Sequence, residues 1–166
     1  MQPRQLSNEL RHGQSPDLNR RRWVIGLSLL AGTMGKIVSL YQTGIVRHLP
    51  DPPVPGFDSD RVDASDYAYK RLETPDGLFM IANYALTAIL AGAGGADRAR
   101  TRPLLPLLTA AKTLIDAGVC LELAREEWQE NKAFCAYCQV ATVASLASAA
   151  IALPEALAAL RQGKQG

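Results

Sequence analysis

Charged side chains are distributed unevenly along this chain of 166 residues, and the gaps between them define four apolar runs. The first, Trp23 to Val46, has 24 residues and a single charge, Lys36. The second, Gly77 to Ala96, is twenty uncharged residues. The third, Pro103 to Leu123, is interrupted by Lys112, Asp116 and Glu122. The fourth runs from Phe134 to about Leu160, and its part from Cys135 to Pro154 has twenty residues without a charge. A helix needs about 20 apolar residues, rising about 1.5 Å each, to cross the hydrocarbon of a bilayer. The pattern therefore predicts four membrane-spanning helices. A long amphipathic helix of a soluble protein is the alternative for the first run, and a soluble helical interaction domain the alternative for the whole.

The segments between the runs are polar. Residues 1–21 show no apolar periodicity and are expected to be a tail, ending at Arg20-Arg21-Arg22 directly before the first run. The stretch from His48 to Gly56 has four prolines in nine residues and cannot be helical. Beyond it, Val62, Tyr67 and Tyr69 fit one face of a short helix lying at the surface. Thr74 is expected to cap the second span, with Pro75 at its first position. The small residues Ala91 to Ala96 leave room for close approach of another helix. Lys112 and Asp116, four apart, share a helical face as a possible internal pair. Arg125 to Lys132 reads as a charged connection with Trp128 near an interface. The fourth span is expected to kink or end near Pro154-Glu155 and to be closed by Arg161 and Lys164, leaving 161–166 as a second tail.

Lys and Arg sort by side. Residues 1–22, 97–102 and 161–166 together hold ten against three acids, whereas 47–76 and 124–132 hold six against ten. Basic connections face the cytoplasm, so both termini belong inside and the connections at 47–76 and 124–132 outside. Lys36 in mid-span requires the bundle interior or a partner. The mean hydropathy of -0.03 conceals this segregation. A net charge of +2 without a basic stripe excludes a nucleic-acid binder. Asp58, Asp60, Asp63 and Asp66 form an acidic outer patch that reads as a solvated loop, with a docking surface as its rival.

The chemistry concentrates at Cys135 and Cys138, a Cys-x-x-Cys pair at the start of the fourth span and on the outer side, where disulfides persist. Free N–H groups and the helix dipole at that position are expected to lower a thiol pKa and speed exchange. Three readings compete: a cycling disulfide, two inert cysteines in a packed helix, and a zinc site. Zinc needs about four ligands; only His12, His48 and Cys120 remain, none at partner spacing, so no metal is expected. Cys120 reads as a buried small apolar residue.

Cys135-x-x-Cys138 opening the last of four spans, preceded by Ser59-x-x-Val62-x-x-Ser65-x-Tyr67 and a proline-started second span, resembles the vitamin K epoxide reductase family, including its bacterial disulfide-forming members. The resemblance covers roughly residues 22–160. It implies an all-α four-helix transmembrane bundle with a short surface helix in the first outer loop, placed in a bacterial inner membrane with the cysteine pair on the periplasmic side. It further implies a quinone (menaquinone or ubiquinone) as cofactor, with Cys138 facing it and Cys135 exchanging with cysteines of the outer loop. Asp76, Phe79 and Tyr84 match positions near the quinone pocket, and Thr142 matches one where relatives carry tyrosine. The outer loop departs from this pattern. Ser59 stands where one cysteine belongs, residues 46–76 hold none, and serine cannot take part in thiol–disulfide exchange. Two functional expectations follow: a quinone-linked thiol–disulfide oxidoreductase reduced directly by a thioredoxin-like partner, or a non-catalytic subunit of a larger membrane complex. Membrane lipid is the surrounding partner in either case.

Overall fold

The computed structural model describes residues 2–163, and the expectation for Lys164 and the rest of 164–166 lies outside them. Among the described residues seven α-helices follow one another: α1 (Pro3–His12), α2 (Pro16–Gln42), α3 (Ser59–Asp63), α4 (Asp76–Gly92), α5 (Arg98–Thr101), α6 (Leu104–Asn131) and α7 (Ala136–Gly163). Helices α2, α6 and α7 are each long and apolar enough to cross a membrane, and α4 is a shorter apolar helix of 17 residues. The chain is an all-helical, multi-pass membrane protein. Helix α2 packs against both α4 and α7, and α6 packs against α7.

The core between the helices is made mostly of small residues. Ala31, Tyr84, Ala141 and Ala144 form one buried cluster, and Val24, Ala91, Ala110, Ala152 and Ala156 another. Large apolar side chains instead point outward, among them Leu104, Ile115, Val119, Val143 and Leu160. Between lipid-exposed helices, small residues permit the close backbone approach that provides packing energy. The tightest approach is at Gly35 of α2 and Gly77 of α4. A Cβ on Gly77 would lie 2.8 Å from Ser39 N and 2.9 Å from Gly35 O. Gly77→Ala is therefore expected to cost about 1–3 kcal/mol through overpacking, read as a lower thermal midpoint in detergent.

The small-residue end of the second run does something other than pack. Helix α4 ends at Gly92, and the carbonyls beyond it turn toward arginine. Arg21, 3% exposed, donates from Nε to Ala91 O at 2.8 Å and from Nη1 to Gly95 O at 2.8 Å. Its Nη2 also reaches the carbonyls of Gly92, Ala93 and Gly94. Arg98 adds bonds to the carbonyls of Leu90 and Ala93, both at 2.8 Å, and pairs through Nε and Nη2 with both carboxylate oxygens of Glu155 at 2.7 Å. Two cations thus meet the negative end of the α4 dipole. Two arginines counted by the sequence as inner-side surface charge are in fact buried structural groups.

Several elements differ from the sequence expectation. Residues 3–12 form α1 rather than a featureless tail, because Pro3 starts the helix and Gln5 Oε1 accepts from Gln2 N at 3.2 Å. Glu9 ties α1 to the bundle by accepting from Ala96 N at 3.0 Å. Helix α2 begins at Pro16 behind a Ser15 cap, and ends at Gln42 rather than Val46. Helix α4 begins at Asp76, with Pro75 as its flanking residue, while the Thr74 hydroxyl donates to Leu72 O. The charged connection 125–131 belongs to α6, continued until Lys132 adopts φ 53 and closes it. Helix α7 runs through Pro154 to Gly163. Lys36 is exposed, so of its two expected settings it does not take the bundle interior. It lies six residues from the α2 end, about 9 Å along the axis, so its amine can snorkel toward the interface at that end.

Candidate functional site

The Pro-rich connection covers the end of the bundle where α2 and α6 finish and α4 and α7 begin, and local bonds hold that cover against the cysteine pair. Phe57 and Phe134 form a short parallel bridge: Phe134 N donates to Gly56 O at 2.8 Å and Asp58 N to Phe134 O at 3.0 Å. Trp128 stacks on Phe134 with ring centroids 5.1 Å apart. The Tyr137 hydroxyl donates to Pro50 O at 2.9 Å. Val62 and Tyr67 face inward from α3 and the following 3-10 turn Asp66–Ala68, as their spacing predicts, and pack around Cys135.

Ser59 contributes directly to the start of α7. Its Oγ accepts from Ala136 N at 2.9 Å and donates to Asp51 Oδ1 at 2.5 Å, while Ser59 N donates to Asp51 Oδ2 at 2.7 Å. Cys138 N donates to Cys135 Sγ at 3.3 Å. The first N–H groups of α7 are thus met by a hydroxyl from another element and by a sulfur. Where the family resemblance calls for an outer cysteine, this chain has a helix cap.

The two cysteines have different surroundings. Both are free thiols; Cys135 is fully buried and Cys138 is partly exposed. Burial pushes the Cys135 thiol above its ordinary value, with the nearby Asp63 carboxylate adding to the shift. This corrects the expected lowering. The helix N-terminus is present, but desolvation beneath the cover outweighs it.

Cys138 lies on the wall of a cavity of about 430 Å3 bounded by α4, α6 and α7 and roofed by Tyr67 and Arg71. Every residue expected near a quinone also lines it: Asp76, Phe79, Tyr84 and Thr142. Asp76 Oδ1 accepts from Gln42 Nε2 at 2.6 Å, which fixes the carboxylate at the cavity's outer end. The Thr142 hydroxyl is turned back to Cys138 O at 2.9 Å. Tyr84, almost wholly buried, shares a hydrogen bond with Ser145 Oγ at 2.9 Å and meets Cys120 Sγ at 3.4 Å. Cys120 is therefore a cavity residue, not simply core filling. Phe79, Ile115 and Val119 line the cavity yet are exposed, so it opens between α4 and α6 on the apolar face of the bundle.

At the cavity's inner side Lys112 Nζ lies 2.6 and 2.7 Å from the two oxygens of Asp116 and 2.8 Å from Asn83 Oδ1. Asp116 also accepts from Asn83 Nδ2 at 3.1 Å and Thr87 Oγ1 at 3.0 Å. The internal pair expected from the four-residue spacing is present. Its partners show why two charges are tolerated there, since each is hydrogen-bonded as well as paired.

Asp63 is the residue that sequence reasoning misplaced. It belongs not to a solvated acidic patch but to the interior, at 0% exposure, with its carboxylate and the sulfurs of Cys135 and Cys138 all within 4.8 Å of one another. The one signal in the sequence is that Asp63 lies four residues before Tyr67, the spacing of side chains that share a helical face. Burial raises its carboxyl from the ordinary 3.8 to about 8, helped by the carboxylates of Asp76, Glu127 and Asp51 and opposed by the Cys135 thiol. A folded value above the unfolded one means a contribution to stability fully present below about pH 3.8 and lost as pH rises through about 8. Asp63→Asn is expected to flatten that part of the pH–stability curve, measured as thermal midpoints across this range.

The model of the vitamin K epoxide reductase family matches residues 21–153. The chain belongs to that family. No curated protein and no solved structure matches it. The matched region runs from Arg21 nearly to the end of the cavity-bearing helices and includes both cysteines and all the cavity residues named above. Helix α1 and Glu155 lie outside the family match.

Proposed function

We propose that this vitamin K epoxide reductase-family protein oxidises its own dithiol with a membrane quinone. One observation carries the reading: of the Cys-x-x-Cys pair it is Cys138 that lies on the wall of a largely apolar cavity, which opens toward lipid between α4 and α6. In the reaction, the Cys135 and Cys138 thiols lose two electrons and two protons to form their disulfide. The quinone takes up both pairs and becomes a quinol. The chain's own part is to hold Cys135 behind Cys138, to exclude water with the Pro-rich cover, and to present Asp76 and Tyr84 to the bound ring. In this reading α4 is a fourth span, both termini are cytoplasmic, and the cysteine pair faces the periplasm of a bacterial inner membrane. Menaquinone and ubiquinone both fit the class of oxidant.

A second reading has its own support. Ser59 cannot relay a disulfide, and Cys135 is sealed beneath the cover, which suits a non-catalytic subunit of a larger membrane complex. One assay separates them. Reduced protein in detergent, kept free of oxygen, is mixed with a soluble quinone analogue and its thiols are counted by alkylation and mass. The oxidoreductase loses two thiols per quinone reduced; constant thiols over the same time reject it. A thioredoxin-like reductant then has to open the Pro-rich cover to reach Cys135, so re-reduction is expected to be slower than oxidation.

A further inference from the structure

Three donor atoms converge beneath the outer connection: one carboxylate oxygen of Asp63 and the sulfurs of Cys135 and Cys138, all within 4.8 Å of one another. We propose that these residues form a binding site for a thiophilic divalent cation of the zinc class, occupied when the cysteines are reduced. The inference goes beyond the quinone reaction and does not depend on it.

Asp63 provides the independent reason. It is fully buried, and apart from the Cys135 thiol beside it neither of its carboxylate oxygens has a hydrogen-bond partner among the described residues. Burying such acceptors without compensation is costly, and a dication between them and two sulfurs would offset that cost. Asp51, Asp76 and Glu127 add negative charge to the surroundings of Asp63, which favours a cation there. Cys-x-x-Cys at a helix start is itself a two-thiolate chelate. The Cys138 N–H, 3.3 Å from Cys135 Sγ, is placed to stabilise that sulfur as a ligand. Two soft sulfurs and one carboxylate favour zinc, cobalt or cadmium over magnesium or calcium, which take oxygen ligands. Cys138 borders the cavity, so a fourth position would open there, on the side where Glu127 also lines the wall. A cation so held keeps both sulfurs as thiolates and blocks their disulfide. Metal binding and oxidation of the pair are then mutually exclusive.

The test uses reduced full-length protein in detergent, stripped with a chelator and titrated anaerobically with cobalt(II) alone. The expected result is about one cobalt per chain, with a sulfur-to-cobalt charge-transfer band that zinc abolishes. Asp63→Asn is expected to weaken cobalt binding by about tenfold or more, with helical circular dichroism recorded alongside. Asp63→Cys supplies a second arm: a third thiolate should retain the metal and strengthen the charge-transfer band, an outcome that mere structural tolerance does not produce. No stoichiometric uptake by the unaltered protein would overturn the site. So would uptake without a thiolate band, or a band unchanged in both variants. Thiol loss to quinone is read separately, so either result can fail alone.

Discussion

Cys138→Ser is expected to abolish quinone-dependent thiol loss altogether, leaving Cys135 and Cys120 in their reduced form after any exposure that converts the unaltered protein. The reason is positional. Electrons can leave the pair only through a sulfur that touches the oxidant, and Cys138 borders the cavity while Cys135 is fully buried behind it. Cys135→Ser removes the other half of the disulfide, so the two-electron product cannot form in that variant either. The two variants differ in reagent access. In Cys135→Ser, an apolar maleimide entering from lipid is expected to modify Cys138. In Cys138→Ser, Cys135 is expected to resist modification until the protein unfolds. Mass spectrometry of the alkylated chains checks both statements. Equal labelling of the two sulfurs would contradict this arrangement.

Glu155→Ala is expected to destabilise the fold by about 3–5 kcal/mol, the range for leaving one member of a buried ion pair without its partner. Arg98 has 0% exposure and Glu155 3%, so water cannot replace the lost carboxylate. The consequences extend past the pair. Arg98 also holds the carbonyls of Leu90 and Ala93, so a guanidinium that shifts in search of solvent uncaps α4. Arg98→Ala is expected to lose a similar amount, because it strands Glu155 and frees the same carbonyls. The double variant should cost much less than the sum of the two, and the difference is the coupling energy. Thermal unfolding in detergent, followed by circular dichroism, measures all three.

The apolar runs by themselves made the protein helical and membrane-embedded, because a stretch of about 20 uncharged residues has few other stable fates. They also located the cysteine pair at a helix start, and they allied Lys112 with Asp116 through simple four-residue spacing. The inward face of the outer helix was equally readable at Val62 and Tyr67. What these local rules describe is a periodicity and a partition between water and lipid.

The tertiary structure decided matters that depend on partners distant in sequence. Arg21 and Arg98 counted as surface charge until the carbonyls of residues 90–95 and the carboxylate of Glu155 were seen around them. Residues 125–131 were polar enough to read as a connection, yet they continue α6 because Glu126 and Glu130 are paired with Arg71 and Lys70 and Glu127 bonds to Cys135 N and Gln139 Nε2. Ser59 became a helix cap, and Asp63 a buried neighbour of two sulfurs, only when the proline-rich connection folded over the start of α7. Local pattern sets which residues leave water. Which charge meets which partner there is set by chain segments that only folding brings together.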